Sequence, residues 1–149
     1  MTDLSAFSDL VDLDHGLSVL ASPRRDGSIA ASVVNAGVLP HPLTNQPVVG
    51  FVARGLRKLE HLRARPQATV VIRAGWRWAA VEGEVTVIGP DDPQPGVDAE
   101  ALRRLFRDVF SAAGGAHENW DEYDATMAAE RSAAVLVTPR RVYTNPAAG

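Results

Sequence analysis

The amino-acid sequence predicts an α+β domain that is mainly β, an antiparallel barrel with helices packed on its outside. Six or seven runs rich in β-branched residues are separated by Gly, Pro, Asp and Asn turn signals. A helical stretch is inserted after the third run, and a helical pair precedes the last two. Strands and helices therefore do not alternate, which disfavours a parallel doubly wound sheet. At 149 residues, 46% of them apolar, the chain suffices for one domain with a hydrophobic core and is too short for two comfortable ones.

The elements follow in order. Leu4, Phe7, Leu10, Val11 and Leu13 have the spacing of a short amphipathic helix, predicted to cover one end of the sheet. Gly16 to Ser22 and Ile29 to Leu39 read as two strands of a hairpin, joined by a turn through Pro23 and Asp26-Gly27. Pro40 to Pro47 is a loop leading to a third strand, Val48 to Ala53, and the three strands are expected to form an antiparallel meander. Leu56, Leu59 and Leu62 predict a short helix that Arg65-Pro66 ends. Ala68 to Ile72 and Trp76 to Ile88 are predicted strands joined at Ala74-Gly75, and Gly89 to Gly96 is a surface loop.

Asp98 is positioned to cap a helix whose stripe of Leu102, Leu105, Phe106, Val109 and Phe110 lies opposite Arg103, Arg104 and Arg107. Gly114-Gly115 stops it. Asn119 and Glu122 have capping-box spacing for a further helix carrying Trp120, Tyr123 and Met127 on one side. Ala133 to Thr138 and Arg140 to Thr144, divided by Pro139, return to β.

Composition narrows the function classes. Without cysteine there is no disulfide, thiolate metal site or cysteine nucleophile. His15, His41, His61 and His117 lack metal-site spacing. Acid near the start, and the absence of an apolar run of membrane-spanning length, lead us to expect a soluble, unexported, cytoplasmic protein with no membrane contact. A net charge of −3 argues against general nucleic-acid binding.

The charge is nevertheless uneven. Arg54, Arg57, Lys58, Arg63 and Arg65 face only Glu60 in their segment, which makes it +4 against −7 for the remainder. Lys58 is the single lysine of the chain. At a strand end and the first turn of a helix, backbone N–H groups, the helix dipole and these cations can converge on one anion, and a phosphate ester suits that geometry. By spacing alone, Arg57 and Lys58 equally fit the solvated face of an amphipathic helix. Strand alternation places Trp76 and Trp78 on one side and Arg77 on the other. Such a pair of indoles can stack on a planar ring or fill a core or subunit interface. Asn35 shares a side with Ile29, Ala31 and Val33, whereas Ser32 falls with Val34 and Ala36. Patterns for a serine nucleophile, a dinucleotide fingerprint and a phosphate-binding loop are all missing. Chemistry carried by a cofactor is what remains.

The order of Gly16–Ser22, Ala31–Gly37, Val52–Leu59, Arg65-Pro66, Gly75–Trp78 and Val81–Val87 resembles the split β-barrels of the pyridoxamine 5′-phosphate oxidase-like class. Within them it is most similar to the actinobacterial branch that uses coenzyme F420, an 8-hydroxy-5-deazaflavin. The likeness spans roughly His15 to Pro146. It implies a single cofactor-binding domain over residues 1–149, and a homodimer with cofactor sites at the subunit interface. By position, Arg57-Lys58 resemble the pair that grips the cofactor phosphate. Ser32, Val33, Val34 and Asn35 resemble the strand beside the tricyclic ring. Val52, Ala53 and Arg54 resemble the strand end near the ribityl chain, and Trp76, Arg77 and Trp78 the segment reaching in from the partner. Proteins of this class that bind FMN often carry serine where this chain has Leu56, which shifts the preference toward the deazaflavin. The implied activity is hydride transfer from the reduced deazaflavin to an unsaturated or oxidised small molecule. The alternatives are an FMN-dependent oxidase or reductase and a protein that binds coenzyme F420 without turnover. Tyr143, His41 and His15 are the available proton donors, and none is assigned a catalytic role.

Overall fold

The computed structural model describes residues 3–145. In chain order these form α1 (Ser5–Val11), β1 (Leu17–Pro23), β2 (Ile29–Asn35), β3 (Gly37–Pro40), β4 (Pro47–Ala53) and α2 (Leu56–Ala64). There follow β5 (Gln67–Ala74), β6 (Arg77–Ile88), α3 (Ala99–Ala112), α4 (Trp120–Ala129) and β7 (Ala133–Thr144). Every ladder is antiparallel. The strands form one sheet in the order β2-β1-β5-β6-β7-β4-β3, and its antiparallel pairing is what the absence of strand–helix alternation predicted.

Two predicted features change. The run Ile29 to Leu39 is two strands, because the chain turns at Ala36, whose N–H donates to the carbonyl of Gly16 at 2.9 Å. Gly37 then lies so close to the end of α3 that a Cβ there would sit 2.1 Å from the carbonyl oxygen of Ala112. The chain cannot continue alongside β1. β3 instead pairs with β4 at the other end of the sheet, so the expected three-strand meander does not form. β2 and β4 approach each other without a ladder, and this gap is the split in the barrel. At the C-terminal end, the two predicted strands are one. Pro139 pairs with Gly83 and Arg141 with Glu82, so Arg140 is the extra residue of a bulge that bends β7 without ending it.

Two apolar clusters hold the sheet. Inside the barrel, Phe51, Val70, Ile72, Val81 and Val135 meet Phe7 and Leu10 of α1 and Leu59 and Leu62 of α2. On the other face of β4 and β7, Val48 and Leu136 pack beneath Leu105, Phe106 and Val109 of α3 and Tyr123 of α4. β4 and the first half of β7 are thus buried on both faces, which explains their unbroken apolar sequences.

Both helices above that face begin as their sequences predict. Asp98 accepts from the N–H of Ala101 at 2.8 Å, and Asn119 accepts from that of Glu122 at 3.1 Å. Among the described residues no helix is long and apolar enough to cross a membrane. No group of His, Asp and Glu among them has the arrangement of a metal site.

Candidate functional site

α2 starts without the features that usually stabilise a helix N-terminus. Gly55, the N-cap, supplies no side chain, and the first turn carries no acid. It carries Arg57 and Lys58 instead, which oppose the helix dipole. Among the described residues neither cation has a carboxylate partner. The first N–H groups of the helix have no intrahelical acceptor, so N–H donors and two cations crowd one end. They open onto a pocket of about 250 Å³.

The opposite wall of this pocket comes from the β1–β2 hairpin. Register places Leu20 opposite Ser32 and Ser22 opposite Ala30, with these side chains facing the barrel side. Ser22, Ser32, Arg24, Arg57, Lys58 and His61 therefore supply two hydroxyls, three guanidinium or ammonium groups and one imidazole to a single cavity. His61, three and four residues beyond Lys58 and Arg57, follows from helical spacing. Ser22 and Arg24 are visible only once the hairpin is registered.

Arg54 differs from its neighbours in sequence. It donates to Glu130 at 2.7 Å and lines a second cavity, of about 440 Å³, with Asn35 and Val52. The remaining walls of that cavity are chiefly Val109, Phe110, Tyr123 and Met127 from the α3–α4 pair, together with His15. The Asn35 amide donates to the carbonyl of His15 at 2.8 Å. Between the two cavities lies the open edge of β2. Among the described residues this strand pairs on one side only, with β1, so alternate residues present main-chain N–H and C=O groups to the gap.

Val34 and Ala53 belong to the inner core and reach the gap only through their main chains. Val33 points the other way and is 64% exposed.

The tryptophans are arranged otherwise than strand alternation predicted. β6 begins at Arg77, and Trp76 lies in the two-residue turn with Gly75. Gly75 has φ +62°, a backbone conformation a II′ hairpin turn reserves for glycine. Trp76 is 94% exposed at the tip, whereas Trp78 is half-buried and meets Tyr143 edge to face at 6.0 Å. The end of β7 braces this hairpin. Asn145 donates to the Trp76 carbonyl at 3.0 Å and accepts from the Trp78 N–H at 3.2 Å. Trp76, Arg77 and Trp78 line neither cavity described above.

The three available proton donors are scattered. His41 is buried at the β3–β4 turn, where burial lowers its pKa and its Nδ1 accepts from the Leu43 N–H. Tyr143 is raised by its hydrogen bond with Glu82. Only His15 lies at one of the two cavities. Tyr123, pushed up to about 12 by burial, spends its hydroxyl proton on the Phe106 carbonyl at 3.0 Å.

A seven-stranded antiparallel sheet split between β2 and β4, with a helix inserted at the split, is the fold of the pyridoxamine 5′-phosphate oxidase-like split barrels. Several solved structures superpose over nearly the whole chain. A conserved hypothetical protein of Mycobacterium tuberculosis matches at 16% identity and TM-score 0.67, covering 97% of this chain and 84% of that one. An F420 reductase matches at 14% identity and TM-score 0.59, covering 92% and 95%. A pyridoxamine 5′-phosphate oxidase-related, FMN-binding protein of Nostoc punctiforme matches at 18% identity and TM-score 0.56, covering 95% and 79%. At these identities the likeness is one of fold. No family model matches the sequence, and no curated protein matches it.

Proposed function

We propose that the protein is a reductase that uses reduced coenzyme F420 to deliver a hydride to an unsaturated or oxidised small molecule, and that all of 1–149 serves as one cofactor-binding domain. The observation that carries this is the uncapped, acid-free start of α2, where Arg57 and Lys58 share a pocket with Ser32. Two cations in a first turn cost helix stability unless an anion meets them, and a phosphate diester or monoester also satisfies the bare N–H groups. From that anchor the open edge of β2 leads to Asn35. Its alternating main-chain donors and acceptors match the pyrimidine edge of a flavin or deazaflavin, through Ser32, Val33, Val34 and Asn35 on one side of the gap and Val52, Ala53 and Arg54 on the other.

When bound, the coenzyme supplies the hydride; the chain's own part is to anchor the phosphate, orient the ring and exclude water. The sheet also supports a homodimer. Leu17, Val19, Ile29 and Val33 form an exposed apolar face on β1 and β2. A second protomer covering it would bring its own Trp76–Trp78 hairpin toward the site.

FMN is the second reading, favoured by one observation: Ser22 and Ser32 supply to the anion pocket the hydroxyls that Leu56, itself 76% exposed, does not. Titration of the purified protein with coenzyme F420, followed by tryptophan quenching, decides between them. Saturable binding is expected. No binding at tens of micromolar overturns the proposal, and a yellow protein whose flavin absorbance survives desalting replaces it with the FMN reading.

A further inference from the structure

We infer that Arg63 and Asp92 are positioning residues for the pocket of Arg57 and Lys58: their ion pair, tied through Asp91 and Arg131 to the start of β7, fixes the direction of α2 and so the place where its first turn meets a phosphate. As an anchor of α2 the pair stands on its own; as a determinant of coenzyme affinity it rests on the coenzyme reading.

The first turn of α2 does not fix itself. Its N-cap glycine makes no side-chain contact, and Leu56 points away from the core. Of the nine residues of the helix, Leu59 and Leu62 are the buried ones. Two apolar contacts seat a short helix against a core but resist its rolling and tilting weakly.

The last turn supplies the missing constraint. Arg63 donates to both carboxylate oxygens of Asp92, from Nε at 2.7 Å and from Nη2 at 2.5 Å. Such a fork sets direction as well as distance, because the planar guanidinium must face the carboxylate edge to edge. The two side chains are only 33% and 18% exposed, so solvent screens this pair less than a fully exposed one.

Asp92 is itself held. It exchanges main-chain hydrogen bonds with Gly89, at 3.0 and 3.2 Å, which closes the loop into a tight turn. Gly89 lies against β7, where a Cβ would sit 2.9 Å from that of Ala133. At the tip, Asp91 accepts from Nε of Arg131 at 3.2 Å and from its Nη2. Arg131 stands in the α4–β7 turn, and its neighbour Glu130 holds Arg54, where the chain leaves β4 for α2. Two consecutive residues of that turn thus hold both ends of α2, Glu130 through Arg54 and Arg131 through the Asp91-Asp92 loop.

The pair acts through the helix and not on a ligand. Arg63 lies five residues beyond Lys58, about 7.5 Å along the axis and about 140° around it. Neither Arg63 nor Asp92 lines the pocket of Arg57 and Lys58. A roll of α2 about its buried leucines would carry the Lys58 ammonium and the first N–H groups off hydrogen-bond distance to a bound phosphate.

Two measurements on the full chain test this. Because the chain has no cysteine, Leu56→Cys and Arg140→Cys, both at exposed positions, accept a pair of spin labels and nothing else does. The distance distribution between the first turn of α2 and β7 should broaden or shift on Arg63→Gln and on Asp92→Asn. It should stay unchanged on Arg104→Gln, which removes an exposed cation from α3. In calorimetric titration, Arg63→Gln and Asp92→Asn should each weaken coenzyme F420 by roughly fivefold to tenfold. On a Lys58→Ala background the same changes should cost less than about threefold, since they act through the contact already lost. Wild-type distance distributions in both variants overturn the anchor. Altered distributions with unchanged coenzyme affinity, or equal losses with and without Lys58, overturn the positioning role. A wild-type protein that does not bind coenzyme F420 overturns the coenzyme reading, and the spin-label distances then decide the anchor alone.

Discussion

β4 and β7 lie buried on both faces between the inner core and the α3–α4 pair, whereas β1 and β2 are buried on one face and show apolar side chains to solvent on the other. The two halves of one sheet thus divide the work. The first holds the fold together. The second carries the open strand edge, the hydroxyls of the pocket at the start of α2 and an exposed apolar face.

The sharpest way to break this comparison is to delete apolar atoms on each side. Leu136, fully buried in β7 under α3, is expected to cost about 2–5 kcal/mol on Leu136→Ala, because the rigid helices above it cannot collapse into the hole. Val33→Ala on the exposed face should change the stability of the isolated protomer by less than about 0.5 kcal/mol. Urea unfolding of both variants at a concentration where any dimer is dissociated measures the difference. Equal losses would erase the distinction between the halves.

The next effect concerns association. If a second protomer covers β1 and β2, Val33→Glu buries two unpaired carboxylates against apolar side chains and should convert a dimer to monomer in light scattering. Leu13→Glu, at an exposed apolar position in the loop after α1, should leave the mass unchanged. A wild-type protein that is monomeric at tens of micromolar defeats the homodimer reading.

Legibility in the sequence follows the same division. Helices α2, α3 and α4, with the caps at Asp98 and Asn119, could be read because their signals are local. The hairpin β1–β2 was legible through Asp26-Gly27 for the same reason. The pairing of β4 with β7 was not, since nothing near Val49 indicates Val137 as its neighbour. The break at Ala36 depends on Ala112, far along the chain and visible only once α3 is packed. Trp76 misled because strand alternation was applied to a residue that Gly75 had already placed in a turn. At the site, Arg57, Lys58 and Ser32 could be grouped from the sequence with the help of the family resemblance. The separation of Arg54 from them could not, because it depends on Glu130 at the end of α4.

A smaller effect tests what the cations of α2 are for. Lys58→Ala should weaken coenzyme F420 binding by roughly tenfold to a hundredfold, about 1.4–3 kcal/mol, for loss of a charge-assisted contact to phosphate. The same substitution should leave unliganded stability unchanged or raise it by a few tenths of a kcal/mol, since it removes a cation from the positive end of a helix. Loss of stability without loss of coenzyme affinity would make Lys58 part of a solvated helix face. Calorimetric titration and thermal melts of one preparation give both numbers.

The smallest expected effect lies between α3 and α4, where the charges are paired. The hydrogen bond from Arg107 holds the Asp124 carboxyl below its ordinary value, with burial opposing it. A depressed folded-state value means that this contact stabilises the protein fully above the unfolded pKa, near 3.8, and that the contribution disappears as pH falls through the folded value. Asp124→Asn should therefore lose on the order of 1 kcal/mol or less at pH 7, as partly exposed ion pairs do, and the two unfolding curves should converge as the pH falls below the lowered folded-state value. Asp124 braces α4 against α3 and does not line the pocket of Arg57 and Lys58, so its removal should leave coenzyme F420 affinity unchanged. Curves that stay parallel from pH 7 to pH 2 would show that the pair sets no part of the acid limb. The contrast between a charge-braced helix pair and the acid-free start of α2 would then lose its energetic basis.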